Sequence, residues 1–185
     1  MAIQIGHPTT VTRRTERPVQ RWADLAARAI PWVILPQGLW RLPFAFNFTM
    51  GQLDPDAPAW VWWAVPYTFG LTLVSEALAW LSLGLVRWWG EVLPAWLPVI
   101  GGRRVPPFAA IVPAALGGLT LSVAMLMVLP LSVLSGSSVS YSNAWWGALA
   151  GVCFSLLALW GPLLLVVTYG YYVRRCRPAA ASERA

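Results

Sequence analysis

Lysine is absent, histidine occurs once and cysteine twice, and charged residues make up only 11% of the 185 positions. Each shortage removes a class of function. The single histidine, His7, sits in a polar leader, so neither a zinc site nor a Ser/His relay has its residues. Cys153 lies within an apolar stretch and Cys176 in a basic tail on the same expected helix, at depths too different for a disulfide. A surface this poor in charge does not suit water, and the 58% hydrophobic content inverts the balance of a soluble domain. All 13 basic residues are arginine, a bias that fits a GC-rich bacterial genome. Their net charge of +6 does not point to nucleic acid, because they cluster beside apolar runs, where topology and anionic headgroups account for them.

The apolar runs predict an all-α polytopic membrane protein: a single bundle over residues 21–177 with four spans at about 30–48, 59–86, 108–134 and 144–173. A span needs about 20 apolar residues, so four of them use up nearly the whole length. Residues 1–20 read as a cytoplasmic tail without a removable signal, and residues 178–185 as a second tail. Between them, Trp22, Leu25, Ala26, Ala29 and Ile30 share a helical face opposite an Asp24/Arg28 pair. That pattern predicts a short interfacial helix before the first span. Arginines gather in the leader, in the connection after Arg87 and in the tail after Tyr172. The positive-inside rule therefore places both termini in the cytoplasm of a bacterial cell membrane.

Glycine and proline punctuate the spans. Gly147 and Gly151 form a GxxxG step on the fourth, and Gly117 and Gly118 a flat patch on the third, from which close packing of these two helices is expected rather than a homo-oligomer contact. Pro162, Pro113 and Pro130 should bend their helices and so open space between them.

Two ionisable residues fall inside expected spans, Arg41 in the first and Glu76 in the second, and intramembrane charges are costly enough to mark function. Counted from Ile30 and Arg87, each lies 11 residues in, roughly 16 Å along its helix, so antiparallel neighbours would level them. Two readings stay open: a structural ion pair that sets helix register, or Glu76 as a proton donor with Arg41 orienting it. Asp54 and Asp56 form a D-x-D in the acidic loop between the first two spans, either a turn or a second acid site. Of 13 tryptophans, Trp40, Trp80 and Trp160 fall mid-span. With Tyr67 and Phe69 they would either pack as ordinary core or line a pocket whose ring faces stabilise positive charge.

The W-R-L-P-F pattern of residues 40–44, Glu76, R-W-W-G-E at 87–91 and G-G-R-R-V-P-P at 101–107 together resemble small actinobacterial membrane proteins over about residues 30–177. The chain also resembles the membrane-bound terpene cyclases of drimentine-type indole-sesquiterpenoid pathways. That second resemblance implies acid-initiated cyclisation of a lipophilic prenylated substrate, with no metal and no cofactor. Glu76 is then the expected acid, Asp54 or Asp56 the second choice, and the aromatic residues the lining of the cation path. The chain has no D-x-D-D acid motif of soluble cyclases, so no family residue transfers directly. The competing expectation is a noncatalytic transporter subunit or scaffold, although residues 30–86 and 108–173 show no inverted repeat.

Overall fold

A computed structural model describes residues 17–54, 59–91, 105–134 and 139–176. Its helices are α1 (Arg21–Ala45), α2 (Ala64–Ser82), α3 (Pro107–Leu134), α4 (Ala144–Ala158) and α5 (Trp160–Cys176). Three helical stretches are long and apolar enough to cross a membrane: Ala64–Leu85, Pro107–Val128 and the nearly continuous Ala144–Cys176. Their outward faces carry Leu73, Val74, Leu116, Leu126 and Val152, all exposed, which is the surface a hydrocarbon solvent favours.

The expected interfacial helix and first span are one helix. α1 continues through Pro31, Pro36 and Pro43, and the Asp24–Arg28 pair closes at 2.7 Å on its first turns. The face that packs into the bundle lies beside the apolar face expected on the membrane surface and shares Ile30 with it. Ala23, Ala27, Ile30 and Ile34 are buried, in a core with Val167 and Tyr171, while Trp22 and Leu25 remain 44% and 67% exposed. Small residues at 23 and 27 allow close approach to α5, where Gly170 meets Trp22 and Ala23. This interhelix packing outweighs the broader apolar stripe. α1 carries Arg21, Asp24, Arg28 and Arg41, which sets it apart from the three apolar stretches.

α4 and α5 part at Leu159. Pro162 has no N–H to offer and its ring crowds the carbonyl four residues back, at Ala158, the last residue of α4. The start of α4 is capped by Asn143, whose side chain accepts from the Trp146 N–H at 3.1 Å.

α1 is the hub, packing along α2, α5 and α4, whereas α3 packs chiefly on α5 and shares almost no contact with α2. The α3–α5 crossing runs through Gly118, Ser122 and Gly161. A Cβ on Gly161 would strike Ser122 and the Gly118 carbonyl, and a Cβ on Gly118 would meet the Leu165 side chain at 2.9 Å. The Gly147/Gly151 step, expected to face the third span, makes no such contact. Gly151 has open space beside it and Gly147 meets only the Tyr141 ring. Pro162 explains this shift: it separates α4 from α5, and the packing against α3 falls on α5. At the end of the bundle formed by the close of α1 and the start of α4, two short strands, β1 (Gln52–Leu53) and β2 (Ser140–Tyr141), pair antiparallel and tie the loops together.

Candidate functional site

Glu76 lies on the face of α2 that meets α1. A Cβ at Gly38 would stand 3.7 Å from Glu76 Oε1 and 3.1 Å from Thr72 Cγ2, so the absent side chain at position 38 makes room for both. Glu76 Oε1, Thr72 Oγ1 and Gln37 Oε1 are all buried without a hydrogen-bond partner. Three orphaned polar atoms along one helix pair are costly, at about 1–3 kcal/mol each, and mark this seam as a place where structure alone was not optimised.

Arg41 does not close an ion pair with Glu76 among the described residues. The expected levelling assumed that the first helix begins at Ile30. It begins at Arg21, and Glu76 meets it beside Gly38, three residues and roughly 4.5 Å short of Arg41. Asp54 follows β1 at the end of the bundle where α2 starts, whereas Glu76 is 12 residues into α2, roughly 18 Å along it. The two carboxylates therefore belong to different levels. Asp56 lies outside the described residues.

The aromatic residues do not converge on Glu76. Trp40 is buried in a second core with Ala150 and Cys153, tilted against Phe44 and Trp146 at 6.3 and 6.2 Å between ring centres. Tyr67 and Trp80 face outward at 61% and 62% exposure, and Phe69 makes an edge contact with Phe46. Of the five, Trp160 lines the cavity between α2 and α3.

That cavity, about 910 Å³, opens between α2 and α3 where the two helices fail to meet. Leu78, Leu81 and Leu85 form one wall, Pro113, Gly117 and Leu121 the other, and Trp160 and Leu164 of α5 the back. Its volume lies at the upper end of the roughly 300–1,000 Å³ typical of small-molecule sites. No carboxylate lines it among the described residues. Its polar side chains among the described residues are Ser82, Thr120 and the indoles of Trp89 and Trp160. The opening follows from sequence locally: α2 ends in the tight turns Leu83–Leu85 and Trp88–Gly90, which fold back on themselves instead of running alongside α3. Gly90 packs directly on the Gly84 backbone and Trp89 lies over Gly84, contacts that side chains at 84 and 90 would prevent.

The folded-back segment delivers Glu91 to a buried ionic cluster. Glu91 Oε1 stands 2.9 Å from Arg174 Nη2, with both side chains at most 5% exposed, and Arg175 lies 3.9 Å from the second oxygen. Arg174 also donates to the Leu85 carbonyl at 2.9 Å, and Arg175 to that of Val105 at 3.2 Å. Both guanidinium groups sit over the Tyr171 ring, 5.5 and 5.9 Å from its centre. Sequence reasoning missed this cluster. Glu91 and Arg174 are 83 residues apart in the chain, and each taken singly reads as an interfacial charge. The signal that could have found it is a lone carboxylate in the basic connection, since burial of a charge demands a partner.

No group of three or more His, Cys, Asp or Glu residues able to hold a metal occurs among the described residues. Against known proteins, the chain matches no family model, no curated protein and no solved structure at significance.

Proposed function

We propose that the chain is a bacterial cell-membrane protein that admits a lipophilic, isoprenoid-sized molecule sideways from the bilayer into the cleft between α2 and α3. The apolar cavity of about 910 Å³ carries this reading. In it, α1 is the fourth span, crossing beside α2 along their shared seam, and the termini share one side. The positions of Arg17, Arg87, Arg174 and Arg175 at one end of the bundle support assigning that side to the cytoplasm. A photoreactive prenyl probe in nanodiscs should label the cavity-lining parts of α2 and α3 and be displaced by excess unlabelled prenyl alcohol. Even labelling of every outward face, without displacement, would refute the reading.

The catalytic form of this function is acid-initiated cyclisation of a prenylated substrate with Glu76 as the acid. Its support is the buried, unpartnered carboxylate oxygen of Glu76. Because Glu76 stands on the α1 side of α2, this chemistry requires the substrate to reach from the cleft into the seam. Membranes carrying the wild type should cyclise a member of a panel of prenylated and epoxidised substrates, and Glu76→Gln should lower turnover at least 100-fold, the lower range of general-acid contributions being about 10². Equal turnover by a folded Glu76→Gln protein would remove Glu76 as the acid. The noncatalytic reading, a binding or scaffold protein, is favoured by the apolar character of the described cavity wall, where no carboxylate occurs among the described residues, and it predicts binding without turnover.

A further inference from the structure

The cavity is not electrically symmetric. At the end where α2 closes and α3 begins, its wall is built by Leu85, Trp89, Gly90 and Val105. Leu85 and Val105 are the residues whose carbonyls accept from Arg174 and Arg175, so two guanidinium groups lie directly behind this end of the wall. Glu91 faces both guanidinium groups, at 2.9 and 3.9 Å. Arg87 stands between the two tight turns that supply Leu85 and Trp89, is exposed, and makes no ion pair among the described residues. The rest of the described lining, from Leu78 and Leu81 to Pro113 and Leu121, is hydrocarbon apart from Ser82, Thr120 and the Trp160 indole.

We propose that the occupant of the cavity is a phosphate-bearing amphiphile, its chain between α2 and α3 and its head group at the Arg87 end. The inference rests on the cavity reading above and adds the chemical class of the ligand. A neutral hydrocarbon gains from burial alone and is indifferent to which end carries positive charge. An anionic head at that end comes near the exposed Arg87, which flanks the lining residues Leu85 and Trp89, and a low-dielectric wall leaves that attraction less screened by water. The same chemistry is offered by a prenyl phosphate and by a bilayer phospholipid.

Two substitutions separate chain from head. A Cβ at Gly117 meets nothing within 4 Å, so Gly117→Leu fills the cavity without touching the Gly118–Gly161 crossing. Arg87→Gln removes the exposed cation and leaves the buried cluster in place. The assay measures binding of geranylgeranyl phosphate and of geranylgeraniol to the purified full chain in nanodiscs of zwitterionic lipid, with thermal unfolding as a folding control. Wild type should prefer the phosphate, Arg87→Gln should weaken phosphate binding about fivefold with the alcohol unchanged, and Gly117→Leu should weaken both. Equal affinity for phosphate and alcohol in the wild type, with both lost in Gly117→Leu, would overturn the anionic ligand and leave the cavity reading standing. Unchanged binding in a folded Gly117→Leu protein would overturn both. Competition by phosphatidylglycerol would identify the source as bilayer lipid, its failure a prenyl phosphate. Displacement by inorganic phosphate alone would overturn the amphiphile, since it needs no chain.

Discussion

The seam between α1 and α2 and the cleft between α2 and α3 share one helix and solve opposite problems. The seam is closed and polar: Gly38 lets α1 approach closely, and Gln37, Thr72 and Glu76 each bury an oxygen that nothing satisfies. The cleft is open and apolar, walled by leucine and proline, and holds no acid among the described residues. α2 thus carries a buried carboxylate on one side and ligand-sized space on the other. The difference shows that a carboxylate in an apolar helix and a pocket, each a recognised pointer to function, need not coincide.

The strongest way to break the contrast is to loosen the cleft at its charged end. Glu91→Ala leaves Arg174 buried beside Arg175 without their carboxylate and should lower stability by about 3–5 kcal/mol, read as thermal unfolding in detergent. A change under about 1 kcal/mol would show that the cluster does not hold the turn segment in place. Next in size is Gly161→Leu, which pushes α3 off α5 by colliding with Ser122 and the Gly118 carbonyl. We expect a loss of about 1–3 kcal/mol, with cavity binding lost as well. Retained stability would mean that the crossing lies elsewhere. The smallest effect belongs to the seam. Glu76→Gln, by neutralising a carboxylate that has no counter-ion among the described residues, should leave stability unchanged or raise it by up to about 1 kcal/mol. A loss above about 2 kcal/mol would reveal an ionic partner for Glu76 and make seam and cleft alike.

How far the site was legible follows from the range of the signals. Glu76 was readable because a charge in an apolar run stands out against its neighbours. Its separation from Arg41 was not, because counting residues from an assumed start at Ile30 cannot detect that α1 starts at Arg21 and packs in a different register. The tryptophans show the same limit. Their mid-span positions were plain, but Trp40 turns into a core with Trp146, Trp80 turns outward, and only Trp160 reaches the cavity. Helical phase relative to several neighbours decides such orientations, and on helices apolar all round no amphipathic stripe reports that phase. The GxxxG step misled for a related reason. Small residues permit close approach on any face, and the choice of Gly118 and Gly161 over Gly147 and Gly151 depends on where the third helix lies.

Composition and local pattern by themselves determined that this chain is helical, with apolar stretches fit for a hydrocarbon solvent, four expected where three reach that length and hydropathy, that Pro162 bends the last of them, and that positive charge gathers at the turns and the tail. These properties belong to single residues or single helices, where hydropathy, ring geometry and net charge act without reference to a neighbour. Tertiary structure alone decided that α2 and α3 stand apart around a cavity, that Glu91 finds Arg174 from 83 residues away, and that Glu76 meets Gly38 rather than Arg41. Each of those outcomes is a contact between distant segments, and the van der Waals fit and buried charge that select it exist only once the helices have packed.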